Sequence, residues 1–393
     1  MVFFNLFLLI IAHAVMSSAE VSQEDLNKFA VANNILAAKL YPRLINGNTD
    51  NVFFCPASLM TGLGILLHGA RGNTQKELYS VLGYEAAGLP LYKVPSTYNY
   101  YFSQMLPENN PNQVNYSLYC ADEVLVTDRA PLYPQFQKDA QNIYDSTIQN
   151  VNFLYANDVT RGINNFVNQQ TYGKINSIVN SVNGFSSALL IDAVFFKGKW
   201  ETPFPPYLSL PQPFYSPTET KNVPFMQVIH SFPYFEGYNY QALLLPYIGG
   251  NTGLLILLPR QKNGLTSLEK TMTPDNIVNV LNQLQSQKTM VLLPKFKFQY
   301  YRDFSKDFRA LGAESAYDGS GDFSDMTFSK GLAVSGTLHK TALEVDESNQ
   351  RAGMTVDFTP PVPPTILANH PFMFAVVDRR INLLIFLGRV INV

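Results

Sequence analysis

The sequence predicts an α+β fold, and two observations support this prediction. Runs rich in β-branched residues, Leu and Phe are interleaved irregularly with helical stretches, without the βαβ repeat of a parallel α/β protein. The chain of 393 residues is also 46% hydrophobic and only 15% charged, so it can bury a large core and is not a disordered protein. Length alone would suggest about two or three domains.

The N-terminus is typical of a secretory signal peptide over residues 1–19. Leu6 to Ile11 form an apolar run that is too short to span a bilayer, and Ser17-Ser18-Ala19 offers the small residues that signal peptidase accepts. The absence of Lys and Arg before the apolar run departs from the usual pattern. We therefore expect a secreted, extracellular protein. Later runs are too short to predict a membrane span, and the mature chain is expected to be soluble.

The first part of the mature chain is predicted to be mainly helical. Ser22 is typical of an N-cap, and apolar residues follow it at helical spacing. Thr74 and Glu77 form a capping-box pattern that predicts another helix start. The predicted elements are a helix over 23–41, a strand over 52–54, a helix over 56–67, a helix opening at 74–77 and a loop with one short helix over 84–114.

Beyond this loop the chain is predicted to be richer in strands. Each predicted strand is a β-branched, Leu- or Phe-rich run that is bounded by turn residues. These strands cover 116–126, 186–196, 242–247, 253–259, 289–299, 332–338, 371–377 and 382–388. The predicted helices between them cover 132–144, 158–170, 274–286 and 303–312.

Composition and motifs exclude several classes of function. A formal net charge of −2 argues against a strongly basic nucleic-acid binder. The HExxH, GxGxxG, Walker and GxSxG motifs do not occur, and the histidines have no metal-ligand spacing. The sequence thus predicts no metal, no cofactor and no catalytic residue. The pairs Lys295/Lys297 and Arg379/Arg380 are too small for a polyanion site and are interpreted as solvated faces.

Two further features bear on export. Asn115 begins an Asn-Tyr-Ser acceptor sequence for N-glycosylation, which a secreted chain can use. The chain has two cysteines, Cys55 and Cys120, which do not make a disulfide framework. A single disulfide and a pair of buried thiols both remain open.

Several segments, in order across the mature chain, resemble motifs of the serpin family. Residues 51–58 (NVFFCPAS) resemble NVFFSPxS, and 192–204 (DAVFFKGKWETPF) resemble NAVYFKGxWxxPF. Residues 163–175 resemble INxWVxxxTxGKI, with Phe166 in place of the usual Trp. The other matching segments are 69–78, 244–247, 293–297, 332–340, 370–374 and 387–389.

The resemblance implies one serpin domain over 20–393, with about nine helices around three mostly antiparallel β-sheets and an exposed reactive loop. It also implies a polar cluster under the central sheet, where strands part, formed by Cys55, Ser58, Asp192 and His339. Here Cys55 replaces a Ser and Asp192 replaces an Asn. Asp192 beside His339 suggests a charged, pH-sensitive pair, and a plain hydrogen-bonded histidine is the alternative.

The resemblance places the reactive loop at about 347–369. In inhibitory serpins a protease cleaves this loop, and the N-terminal half then inserts into the central sheet as a new strand. The inhibitory hinge carries small residues. The corresponding residues of this chain are Glu347, Asn349, Gln350, Ala352 and Met354. Asn349 replaces a Gly and Gln350 replaces a Thr or Ser, and burying an unpaired amide costs about 1–3 kcal/mol.

The same loop offers an unusual bait for a protease. Counting back from Pro371 places the specificity residue near Pro360 to Pro363, where Pro resists cleavage and cannot donate ladder hydrogen bonds. Arg351 lies too near the hinge to leave an arm that can insert. The candidate bait region is Phe358, Pro360, Pro361, Val362, Pro363 and Pro364.

Two functions remain open from the sequence. The family role is a secreted serine-type endopeptidase inhibitor or regulator that acts through 347–369, although Asn349, Gln350 and Pro360–Pro364 disfavour suicide trapping. The alternative is a non-inhibitory serpin that acts as a carrier, storage or binding protein. An enzyme is not predicted.

The expected partner is a serine protease, and neither a nucleic acid nor a membrane is expected as a partner. Heparin activation is not expected because 90–115 contains only Lys93, and the chain is expected to be a monomer.

Overall fold

A computed structural model describes residues 21–107, 115–347 and 363–393. The predicted signal peptide and residues 348–362 of the loop lie outside the described residues. Within the described ranges, no helix has the length and apolarity needed to cross a membrane. The α-helices are α1 (Gln23–Ile45), α2 (Pro56–Gly69), α3 (Gly72–Val81), α4 (Tyr84–Ala87), α5 (Val94–Tyr100), α6 (Pro134–Tyr144), α7 (Ala156–Gln170), α8 (Leu265–Thr271), α9 (Pro274–Gln283), α10 (Ser305–Ala310) and α11 (Ser315–Asp318).

The strands of the described residues form one sheet of nine and one of five, and the predicted α+β class is confirmed. The strands are β1 (Val52–Phe54), β2 (Tyr116–Thr127), β3 (Thr147–Val151), β4 (Ala188–Gly198), β5 (Leu210–Tyr215), β6 (Thr220–Glu236), β7 (Tyr240–Pro246), β8 (Thr252–Pro259), β9 (Gln285–Pro294), β10 (Phe296–Asp303), β11 (Val334–Val345), β12 (Thr365–Leu367), β13 (Phe372–Asp378) and β14 (Leu383–Val390). The nine-stranded sheet has the order β1-β14-β13-β8-β7-β6-β9-β12, with β5 also paired to β6, and the five-stranded sheet has the order β10-β11-β4-β2-β3.

Two of the three implied sheets are joined by hydrogen bonds through one long strand. The 17-residue β6 pairs with β9 along 225–234 and with β7 along 234–236, so it runs from one half of the nine-stranded sheet into the other. Most of the described strand pairs are antiparallel, as expected. The parallel pairs among them are β2–β3, β11–β4 and β12–β9.

Two local predictions are corrected by tertiary contacts. The capping box at Thr74 is wrong, because α3 already begins at Gly72. The Ser315 hydroxyl instead donates to Glu77 Oε2 at 2.7 Å and lies 2.9 Å from Thr74 Oγ1. The strand predicted over 289–299 is two strands, because the chain passes between the sheets after Pro294, which lacks the N–H needed to continue a ladder.

The five-stranded sheet has an apolar core on each face. On one face, α7 packs through Ile163 and Val167 over Leu125. The other face packs against helices and the nine-stranded sheet, where the Phe53 and Phe386 rings stack with centroids 4.8 Å apart. Strands buried on both faces, such as β8, β13 and β14, are continuously apolar for this reason.

Candidate functional site

A parallel seam between β11 and β4 runs through the middle of the five-stranded sheet. The two strands are paired from Val334 opposite Ala188 to Leu343 opposite Phe196, with one β-bulge near the start. β10 and β2 flank the seam and run antiparallel to their neighbours in it. A strand that entered the seam would be antiparallel to both sides, and the chain leaving the C-terminal end of β11 can turn back in that direction.

The structure brings the four residues of the predicted polar cluster together beneath this seam. His339 on β11 is the register partner of Asp192 on β4, and Nδ1 of His339 lies 2.8 Å from Asp192 Oδ2. Ser58 Oγ donates to Asp192 Oδ1 at 2.5 Å. The Cys55 N–H donates to His339 Nε2 at 3.1 Å. The cluster therefore ties both strands of the seam to the N-terminal end of α2.

The hydrogen bonds of this cluster define the charge state of His339. Because Nε2 accepts from the Cys55 N–H, it carries no proton, and Nδ1–H is the donor to Asp192. The imidazole is fully buried with its ring edge against Phe304. This arrangement favours the hydrogen-bonded neutral histidine over the charged pair, since a second proton would face the Cys55 N–H.

Ion pairs of Lys197 cross the seam at the end where the loop leaves β11. Lys197 on β4 contacts Asp346 Oδ2 at 2.5 Å and Glu344 Oε2 at 3.4 Å. Trp200 Nε1 donates to the Asp346 carbonyl at 2.7 Å. Burial lowers the pKa of Lys197, but its bonds with Asp346 and Glu344 outweigh that effect and the net pKa is raised. Parting the strands at this end breaks charge-assisted bonds.

Glu347, the first residue of the predicted loop, is also anchored. Its carboxylate forms an ion pair with Lys295 and accepts from Ser209 Oγ at 2.5 Å. Burial raises the pKa of Glu347, but the hydrogen bonds from Lys295 and Ser209 outweigh it and leave the pKa below its ordinary value. The Glu347 side chain is therefore ionised at neutral pH and fixed in position by Lys295 and Ser209.

The other end of the loop is held by β9. The Met290 N–H donates to the Pro364 carbonyl at 2.9 Å, and β12 then pairs in parallel with β9. Since Lys295 directly follows β9, one short stretch, 290–295, holds both ends of the loop.

Comparisons with known proteins agree with this architecture. The family model described as Serpin (serine protease inhibitor) matches residues 31–393. Intracellular coagulation inhibitor 2 of Tachypleus tridentatus is 30% identical over 96% of this chain and 93% of its own, and Iripin-8 of Ixodes ricinus is 29% identical over 96% of both. The crystal structure of Serpin48, a highly specific serpin of the insect Tenebrio molitor, superposes with a TM-score of 0.82 at 28% identity over 93% of this chain and 98% of that one. The chain belongs to the serpin family. Most members of this family are protease inhibitors rather than enzymes.

The described residues include only part of the predicted serpin loop. Glu347, Pro363 and Pro364 are described, whereas Asn349, Gln350, Ala352, Met354, Phe358, Pro360, Pro361 and Val362 lie outside the described residues. The predicted roles of these residues in insertion and cleavage stay predictions.

Sequence reasoning missed the lysines of this serpin site. It interpreted Lys295 and Lys297 as a solvated pair, but Lys295 binds Glu347 and Lys297 Nζ lies 2.5 Å from Glu344 Oε1. The alternating spacing of the two lysines, together with the acids of 344–347, was a signal that could have paired them. Lys197 gave no such signal, because its partners are about 150 residues away in sequence.

The remaining site predictions concern Cys55, Cys120 and Asn115. The structure favours buried thiols, since both cysteines are buried and do not form a disulfide with each other. Asn115 is partly buried, and a Cβ added to Gly249 would lie 3.0 Å from its amide nitrogen. Glycosylation of Asn115 stays a prediction.

Proposed function

We propose that this protein is a secreted regulator of a serine-type endopeptidase that engages the protease through residues 347–369. The observation that carries the proposal is the parallel seam between β11 and β4, one end of which lies where the loop leaves β11. In an inhibitory serpin this is where the cleaved arm becomes a new strand, and its insertion releases stored strain.

The geometry of the loop anchors supports docking to a protease. Pro364 is hydrogen-bonded to Met290, and Glu347 forms an ion pair with Lys295. Met290 and Lys295 are five residues, or roughly 17 Å, apart along an extended strand. The 16 residues 348–363 between Glu347 and Pro364 can span roughly 55 Å. This excess length allows the segment to leave the surface and enter a protease cleft.

The length of the seam restricts where a productive cut can fall. The paired part of β11 covers ten residues, 334–343, and an arm beginning at residue 348 must first turn and then run back along them. A cut after Arg351 leaves four arm residues, 348–351. A cut after Phe358 leaves eleven and one after Pro360 leaves thirteen. Trapping therefore requires a cut near residue 360 or beyond it, inside the proline block.

A panel of serine proteases tests the proposal. The protein is titrated against trypsin-like, chymotrypsin-like and elastase-like enzymes, beside a variant whose residues 358–364 are replaced by Gly and Ser. We expect loss of activity of at least one protease with the natural chain and a weaker effect with the variant. Finding neither inhibition nor cleavage within 347–369 for any serine protease would overturn the proposal.

Secretion is tested separately, by detecting in the culture medium a chain that begins near residue 20.

A second candidate function is a non-inhibitory carrier, storage or binding protein. It is favoured by Asn349, Gln350 and the prolines 360, 361, 363 and 364, because a buried amide and missing backbone donors oppose strand insertion. If this second function is correct, proteases either leave the loop intact or cleave it without insertion of a new strand into the five-stranded sheet.

Nicking the loop separates trapping from the second candidate. The protein is cut within 360–366, so that the arm is long enough to insert, and the melting temperatures of intact and nicked forms are compared. A rise of tens of degrees means that the arm inserts; an unchanged or lower value means that it does not. The variant Asn349→Gly with Gln350→Thr is the matched comparison, since it restores the small hinge residues. If the natural chain does not insert, we expect this variant to gain stability on nicking.

A further inference from the structure

A groove of about 480 Å³ lies between α7 and the β2–β3 edge of the five-stranded sheet, away from the seam and the loop. Its walls are largely apolar and are formed by Leu125 on β2 and by Val159, Ile163 and Phe166 on α7. Its size falls within the range of small-molecule sites.

A buried carboxylate faces this apolar groove. Glu123 on β2 is 4% exposed and accepts one hydrogen bond from Gln149 Nε2, at 2.6 Å. Burial raises the pKa of Glu123, and the bond from Gln149 offsets part of this effect. A buried carboxylate is costly when a neutral amide is its partner, because no positive charge balances it.

The charge of the groove is negative. Among its described lining residues, Glu123 and Asp158 are the ionisable acids, and none is a Lys, Arg or His. Asp158, at the rim, already forms an ion pair with Arg161, and both side chains are mostly exposed. Tyr155 and Phe166 place aromatic rings in the same groove, and such rings attract organic cations.

We propose that this groove binds a small organic ammonium ion, whose charge pairs with Glu123 while its apolar or aromatic body lies against α7. The charged head supplies the positive charge that the carboxylate lacks, and the body covers apolar surface under the helix. The site is independent of the loop and of the proposed regulation of proteases.

Calorimetric titration with 2-phenylethylammonium chloride at pH 8 tests the proposal, with 2-phenylethanol as the neutral probe of similar shape. We expect saturable binding of the amine and at least about tenfold weaker binding of the alcohol, in keeping with the loss of a charge-assisted bond. Glu123→Gln keeps the shape of the side chain and is expected to weaken amine binding about tenfold. The control Glu201→Gln, at an exposed position outside the groove, leaves binding unchanged.

Two outcomes overturn the proposal. One is equal affinity, or no binding, for both probes on the natural protein, which is decisive even if Glu123→Gln fails to fold. The other is a folded Glu123→Gln variant that binds the amine as well as the natural protein does. Asp158→Asn adds a position-specific check: its exposed carboxylate is paired and screened, so we expect less than about threefold change.

Discussion

Lys295 and Glu347 form an ion pair that ties the corner after β9 to the first residue of the reactive loop. Together with the contact of Lys197 with Asp346, it anchors the start of the loop to β4 and to the corner after β9. The seam that a serpin opens is closed at its loop end by Lys197 and farther along by a buried hydrogen-bond cluster.

Removing either partner of the Lys295–Glu347 pair is expected to destabilise the protein. Glu347 is nearly buried and Lys295 is partly exposed, so we expect Glu347→Gln to lower the free energy of unfolding by about 1–2 kcal/mol and the coupling energy with Lys295→Gln to be about 1 kcal/mol. Urea unfolding of both single variants and the double variant measures this. Lys221→Gln, which breaks an exposed pair with Glu219, is the control and should change stability by less than about 0.5 kcal/mol. Additive effects of the two Gln substitutions would contradict the pairing.

The same contact predicts a dependence of stability on acid. The folded-state pKa of Glu347 lies below its ordinary value, so its contribution is complete above the unfolded-state pKa and is lost as the pH falls through the folded-state pKa. We therefore expect the stability difference between the natural protein and Glu347→Gln to be largest near pH 6.5 and to shrink toward pH 3.5. Unfolding in urea at these pH values measures it. A difference that stays constant across this range would rule out the ionised anchor.

Asp192 is expected to tolerate Asn but not Ala. An Asn can accept the Nδ1–H of His339 with its carbonyl and leave its amide for the Ser58 hydroxyl, so we expect a loss below about 1 kcal/mol. Ala leaves both buried donors unsatisfied, and we expect a loss of about 3 kcal/mol. Chemical unfolding of the two variants compares them. Equal losses would contradict this prediction, because the change that Asn and Ala share is the loss of the negative charge rather than the loss of volume or of the hydrogen-bond acceptor.

Gly198, at the end of β4, is expected to reject even Ala. A Cβ at this position would lie 1.9 Å from the ring of Tyr247, which is buried and stacks on Trp200. We expect Gly198→Ala to cost about 2–3 kcal/mol or more through overpacking. Gly162→Ala, at an open position within α7, is the matched control and should raise helix stability by up to about 1 kcal/mol. Similar thermal melting of the two variants would refute the steric argument.

Heparin is expected not to alter the activity of this protein. Lys93, the sole basic residue of 90–115, lies 3.1 Å from Asp25 and is already paired. Anion-driven acceleration needs a concentration of unbalanced positive charge, which this region lacks. Protease inhibition with and without heparin, at matched salt, measures the effect. A large gain in rate or affinity would locate a polyanion site elsewhere on the chain.

The fold class and much of the element order were predictable from local patterns. The helix after Ser22, the strand 52–54 and the helix after Pro56 follow from an N-cap, an apolar run and a proline at the first helical position, which act over a few residues. The continuous apolar runs of β8, β13 and β14 were recognisable because both of their faces are buried. Strands β5 and β6 were missed because their prolines obscure the strand pattern.

The sequence by itself determined the α+β class, the serpin motifs and the residues that form the polar cluster. Only the tertiary structure decided the tautomer of His339, the partners of Lys197, Lys295 and Lys297, and the groove beside Glu123. The reason is physical: caps, apolar runs and periodicity act between near neighbours. Charge pairing and burial, in contrast, depend on strands such as β4 and β11, which lie about 150 residues apart in the chain and meet only when the sheet is assembled.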